Sequence, residues 1–218
     1  DASIQLAIKS KHAGVKKFLF ASSCSVYGSS NELMYETSPL NPLTTYAKAK
    51  ATAELGILAL MDDKFFPTCL RNATVFGYSP RHRNDLVVNT MTSSAFTTRE
   101  VTVMGDGKLW RPLVNVWDVA RAFALVLDAH AMWVAGEIFN VGTNSENYTV
   151  GGIADLVKKY TRAKVIFSPS SDVRNYRVNF DKLCDLFPEF YQNHISVDTS
   201  IRELVEVYKD YEALIEKV

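Results

Sequence analysis

The strongest constraint on this chain is an alternation of short apolar runs with longer helical stretches. Apolar runs fall at residues 15–21, 67–75, 101–104, 113–116, 137–142 and 164–167. Helical periodicity fills 2–11, 46–61, 85–97, 118–128, 150–160 and 198–217, with a short helix expected at 181–186. Strands separated by helical stretches of about 10–15 residues specify a parallel sheet with crossover helices, because a hairpin link between them would be far shorter. The fold class is therefore α/β. Local punctuation agrees: Gly14 stops the first helix, Thr44 and Thr45 can cap the next, residues 36–43 form a Pro-punctuated loop, and Gly105-Asp106-Gly107 closes a turn.

Composition excludes several classes. Lys plus Arg and Asp plus Glu each number 24, so bulk charge does not favour nucleic acid. No apolar run approaches the ~20 residues of a membrane helix, and nothing resembles a signal peptide. Cys24, Cys69 and Cys184 have no CxxC spacing, and the four histidines add no metal-ligand pattern; no metal is expected, and a reducing, cytoplasmic setting is.

The sharpest local signal is Tyr46-Ala47-Lys48-Ala49-Lys50. Positions i and i+4 share a helix face, so Tyr46 and Lys50 can point into one site. An ammonium near a phenol favours the phenolate and makes a general base for an alcohol about to lose hydride. The same spacing arises in any Ala- and Lys-rich helix. Ser23 ends the first buried strand, where α/β proteins place ligands, and can bond the same substrate oxygen.

Together with FLFASSCSVYG (18–28), TTYAKAK, LRNATVFG (70–77), DGKLWRPLVNVWDVA (106–120) and FNVG (139–142), these residues resemble the extended short-chain dehydrogenase/reductase family, within it the nucleotide-sugar epimerases and dehydratases. The resemblance runs over nearly the whole chain. It implies an NAD(P)-binding Rossmann-like, doubly wound parallel sheet with a smaller C-terminal α/β substrate domain. Residues 1–77, with strand 137–142 returning, would form the cofactor part; 78–113 and 143–218 would hold the nucleoside-diphosphate sugar. Ser23, Tyr46 and Lys50 would be the catalytic triad and would also touch the cofactor, beside Ala73 at the nicotinamide. NAD is the implied cofactor, with NADP left open.

The family's GxxGxxG fingerprint is not among the ten glycines. In this register the chain begins at the fourth crossover helix, so about 80–100 residues of the family pattern would precede it, at about 30 per βα unit. A part of a larger enzyme, inactive and poor at binding NAD alone, is the expectation.

The family's 4,6-dehydratases carry Asp-Glu after the catalytic hydroxyl, where Cys24 and Ser25 stand here. GDP-fucose synthases place a cysteine two residues after the serine, at the position of Ser25. What remains is the 4-epimerase pattern, acting at C4 through a 4-keto sugar. A nucleotide-sugar reductase or dehydratase, and a non-catalytic fold relative, are the alternatives. By the same resemblance Arg111 would bind the diphosphate. Thr74 replaces the family's asparagine, Asp85 and Leu86 match a base-contacting segment, and Met104 stands where an aromatic stacks on the base. The second diphosphate arginine is Pro169 here, with Arg174, two residues before Tyr176, as its substitute. Arg81, His82 and Arg83 form a basic loop at the mouth or simply a solvated one. A homodimer is expected from resemblance, through the helices that hold Ile4 to Ile8 and Ala51 to Leu60.

Overall fold

The computed structural model describes residues 2–215, with side chains described through Asp210; the end of the helix expected to reach 217 lies outside the described residues. In chain order the elements are α1 (Ala2–His12), β1 (Lys17–Ser23), a 3-10 turn (Cys24–Tyr27), β2 (Ser29–Met34), α2 (Thr45–Leu58), β3 (Phe66–Asn72) and β4 (Thr74–Phe76). There follow α3 (Val87–Thr97), β5 (Glu100–Met104), β6 (Trp110–Asn115), α4 (Val116–Asp128), α5 (Ala131–Val134) and β7 (Ile138–Val141). The chain continues with β8 (Asn147–Thr149), α6 (Val150–Thr161), β9 (Lys164–Ser168), β10 (Asn175–Val178), α7 (Asp181–Leu186), α8 (Pro188–Gln192) and α9 (Val197–Ile215).

The central sheet has the order β1-β3-β7 and is parallel throughout, with Ser23 opposite Asn72 at its carboxyl end. The connection from β1 to β3 carries α2, which begins where expected: the Thr44 side chain accepts from the Ala47 N–H at 3.1 Å. Residues 67–75, read as one strand, are two. The Ala73 N–H donates to the Val141 carbonyl at 3.0 Å, and beyond it Thr74–Phe76 leave the central sheet to pair with β6. This change of partner swings the chain after Asn72 over the carboxyl end of the sheet.

Among the described residues one pairing departs from an all-parallel reading: β8 runs antiparallel to β6, with Arg111 opposite Tyr148. β2 pairs with β10, and β5 with β9, both in parallel. Strand β6 begins at Trp110 rather than Leu113, α2 ends at Leu58 rather than 61, and α3 starts at Val87 rather than Asp85. At that last end Asp85 is drawn off by Arg83, at 2.6 Å.

Three apolar cores support these elements. Ala7, Phe20, Ala53, Ile57, Phe65 and Cys69 join α1 and α2 to the sheet. Leu70, Phe139, Val141, Phe180, Leu183 and Phe190 fill the region between β3, β7, α7 and α8. Val88, Val101, Val103, Ile153, Val157 and Ile201 pack α3, β5, α6 and α9 together. No helix among the described residues is long and apolar enough to cross a membrane.

Gly28 closes the 3-10 turn after Ser23 with φ of 76°, and a Cβ there would meet the Asn41 carbonyl oxygen at 1.9 Å. Gly28→Ala must therefore strain the backbone and push the 36–43 loop outward. A loss of about 1–3 kcal/mol is expected, read as a lowered urea midpoint at unchanged slope.

Candidate functional site

The carboxyl ends of β1 and β3 open into a cavity of about 540 Å³, lined by Ser22, Ser23, Ser25, Asn72 and Ala73, and walled by Tyr46 and Lys50 of α2. The helical spacing read in the sequence is what delivers that pair, since Tyr46 and Lys50 are one turn apart on the helix face turned to the strand ends. Lys50 Nζ donates to the Ala21 carbonyl at 2.6 Å and lies 5.6 Å from the centre of the Tyr46 ring. Burial lowers the Lys50 pKa from its usual value, and the negative charge of Glu54 opposes that shift. Tyr46 is 57% exposed, so its phenol is open to a ligand. Ser23 Oγ accepts from the Ser25 N–H at 3.2 Å, which caps the 3-10 turn and leaves the hydroxyl proton available. Among the described residues no hydrogen bond joins Ser23, Tyr46 and Lys50 directly; they meet by lining one cavity.

A second cavity of about 320 Å³ adjoins the first. Thr74, Asp85, Leu86, Arg174 and Tyr176 line both, so the two form one cleft. Met104 and Arg111 line the second. Ser23, Tyr46, Lys50, Ala73, Thr74, Asp85, Leu86, Met104, Arg111, Arg174 and Tyr176 thus line a single cleft, of a size that suits a small organic ligand. The basic loop divides. Arg83 lines the first cavity but is paired with Asp85, whose carboxyl that hydrogen bond holds at about 2. Arg81 is exposed, and His82 Nε2 meets the Tyr208 hydroxyl at 2.9 Å.

Cys24 points elsewhere. It is 1% exposed, its thiol donates to the Arg71 carbonyl at 3.1 Å, and burial pushes its pKa far above the ordinary thiol value. Its neighbour Ser25 lines the cavity with a buried hydroxyl that has no protein partner.

The sequence reading missed the polar network beneath this cleft. Arg71 forms a buried ion pair with Glu54, donating from Nε at 3.0 Å and from its terminal nitrogen at 2.7 Å. Arg71 also donates to the Tyr27 hydroxyl at 3.0 Å and to the Glu36 carbonyl at 3.1 Å. Tyr27 in turn donates to Asn140 Oδ1 at 2.7 Å. Two signals pointed to the network: an arginine inside an apolar strand needs an internal partner, and Glu54 stands four residues beyond Lys50 on the same helix face.

A parallel sheet with crossover helices and a cleft at its carboxyl edge, lined by a hydroxyl, a Tyr–Lys pair and arginines, defines the class of α/β proteins that hold their ligands at strand ends. Comparison with known proteins narrows the class. Residues 2–142 match the model of the NAD dependent epimerase/dehydratase family, and the chain belongs to that family. It is 32% identical over 148 residues to the dTDP-D-glucose 4,6-dehydratase of Mus musculus, covering 67% of this chain and 40% of that protein. It is 29% identical over 175 residues to a putative UDP-glucose 4-epimerase of Methanocaldococcus jannaschii, covering 77% of this chain and 55% of the relative. The chain thus spans about half the length of the curated relatives it matches. Among solved structures, the UDP-glucose 4-epimerase of Thermotoga maritima with UDP-glucose superposes with a TM-score of 0.82 at 28% identity, covering 96% of this chain and 68% of that one.

Proposed function

We propose that the protein to which this chain belongs is an NAD-dependent epimerase of a nucleoside-diphosphate sugar, acting at C4 through a 4-keto sugar. The observation that carries this reading is the set of proton-carrying groups in the cleft. Of the carboxylates that line it, Asp85 is paired with Arg83 and Asp172 with Arg111 and Arg174. The two residues after Ser23 are a thiol turned into the core and a neutral hydroxyl. Water elimination needs a further acid and base beside the sugar, whereas epimerisation at C4 needs only a base that takes and returns the hydroxyl proton.

The wall of the first cavity fits a nicotinamide. Ala21 and Ala73 leave it free of bulk, and Ser22 Oγ and Asn72 Oδ1 are buried there with no protein partner. When bound, the nicotinamide supplies reversible two-electron redox chemistry. Ser23, Tyr46 and Lys50 would stand beside it. Tyr46 Oη takes the C4 hydroxyl proton, holds it while the sugar carries a ketone, and returns it. The Lys50 ammonium favours the phenolate, and Ser23 Oγ orients the same sugar oxygen. Arg111 and Arg174 hold the diphosphate, and Thr74, Asp85, Leu86, Met104 and Tyr176 surround the rest of the nucleotide. In this reading residues 1–77 with 137–142 serve the cofactor, and 78–113 with 143–218 serve the sugar nucleotide. A second copy would pack on α1 and α2, which present Leu6 and Leu55 outward.

The test is turnover of UDP-glucose by the full-length protein in deuterated water. A C4 epimer with no deuterium on carbon is the expected product. Loss of water with deuterium at C5 would replace this reading with a dehydratase, since elimination breaks the C5–H bond. Stoichiometric consumption of added NADPH would replace it with a reductase.

A further inference from the structure

Two arginines of the cleft converge on one carboxylate. A terminal nitrogen of Arg111 donates to Asp172 Oδ2 at 2.8 Å, and a terminal nitrogen of Arg174 donates to the same oxygen at 2.7 Å. Arg174 Nε and its backbone N–H add bonds to Asp172 Oδ1 at 2.8 and 3.0 Å. Asp172 sits in the segment between β9 and β10, its own N–H held by Ser170 Oγ at 3.0 Å. Hydrogen bonding from Arg174 outweighs burial and holds the Asp172 carboxyl at about 2, so it is an anion throughout the neutral range.

Arg111 has little choice of partner. Its side chain is 10% exposed, and its other terminal nitrogen is spent on the Trp110 carbonyl, at 2.7 Å, and the Arg174 carbonyl. Of its two terminal nitrogens, the one left for a phosphate oxygen is therefore the one Asp172 now holds. Both guanidinium groups line the second cavity, as does Asp172.

We propose that Asp172 is the internal anion that sets the affinity of this cleft for diphosphates: it occupies the Arg111–Arg174 pair, and a diphosphate binds by replacing it. This inference rests on reading the cleft as a sugar-nucleotide site. Two guanidinium groups and one carboxylate leave a single net positive charge. A singly charged ligand that displaces Asp172 exchanges one anion for another with little gain. A diphosphate diester brings two negative charges and several acceptor oxygens to the same pair, and so wins the exchange. The carboxylate thus discriminates by charge as well as lowering affinity. Only the segment at 169–173 has to shift, because Arg111 stays anchored on the Trp110 and Arg174 carbonyls.

The test is calorimetric titration of the full-length protein with UDP, and with uridine as the uncharged probe, in wild type, Asp172→Asn and Arg111→Met. Asparagine keeps an acceptor for the Arg174 N–H, so the segment retains its turn. Asp172→Asn is expected to bind UDP at least tenfold more tightly at low salt, to leave uridine affinity unchanged, and to lose part of its advantage as salt screens the arginines. Unchanged or weaker UDP binding by Asp172→Asn overturns the proposal, as does an equal change for uridine. Wild-type protein that binds no UDP, or binds it no less well after Arg111→Met, overturns the reading of the cleft itself.

Discussion

Tyr46→Phe should lower kcat on a nucleotide sugar by about 10²–10⁴, the range for loss of a positioned acid–base group, while UDP affinity changes by no more than about threefold. At 1.36 kcal/mol per decade, the middle of that range is about 4 kcal/mol of barrier. Removing a hydroxyl so often perturbs a fold that a loss of rate alone proves little. Tyr46 is the favourable case. Its ring is 57% exposed and its hydroxyl holds no hydrogen bond to the described residues, so the phenylalanine leaves no buried group unsatisfied. Steady-state kinetics, UDP titration and a melting curve on the same preparation separate chemistry from folding. A kcat within threefold of wild type would remove Tyr46 from the reaction. Lys50 sharpens the experiment. Because burial lowers its pKa, the alkaline limb of the wild-type kcat profile should fall below the ~10.4 of a free lysine side chain.

How much of this site was legible in the chain depends on the distance over which each signal acts. The Tyr46–Lys50 spacing and the Thr44 cap are local, obey helical geometry, and appear where the sequence places them. The central strands are short apolar runs between helices, and their parallel order follows from connection length alone. By contrast β2, SSNELM, carries few strand-forming residues, β10, NYRV, is only four residues long, and the two pair across more than a hundred positions, so neither segment announces the other. The break at Ala73 was hidden for a related reason. Residues 67–75 read as one strand without a turn signal, and only the Val141 carbonyl, from a strand far along the chain, tells where the first partner ends. Asp172 is the plainest case. Nothing in its neighbourhood says that Arg111, sixty-one positions earlier, will share its carboxylate with Arg174. Family resemblance gathered Arg111, Arg174 and Tyr176 into one expectation, but only the three-dimensional structure reveals which charges neutralise each other within it.

Breaking the ion pair under the cleft should have the largest effect on stability. Glu54 and Arg71 have side chains 2% and 3% exposed, and Arg71 is held by two-point contact with the carboxylate, by the Tyr27 hydroxyl and by the Glu36 carbonyl. Burial acts to lower the Arg71 pKa, but hydrogen bonds and charge from Glu54 and Tyr27 overcome it and raise the value. The guanidinium is therefore charged at every working pH, and Arg71→Met leaves the Glu54 carboxylate in the core without its cation. A loss of about 3–5 kcal/mol is expected, the range for removing one partner of a buried pair, and Glu54→Leu should cost a similar amount because it strands the arginine. The double variant Glu54→Leu/Arg71→Met should be far more stable than the two losses added, since it removes both buried charges and their desolvation cost together. Some deficit should remain, because the Glu36 carbonyl loses its donor. Urea unfolding of the four proteins gives the coupling directly. A coupling under about 0.5 kcal/mol, the level at which independent sites add, would mean that the two charges do not act as a pair. A large coupling would identify α2, which also carries Tyr46 and Lys50, as tied to β3 through an electrostatic contact rather than by apolar packing alone.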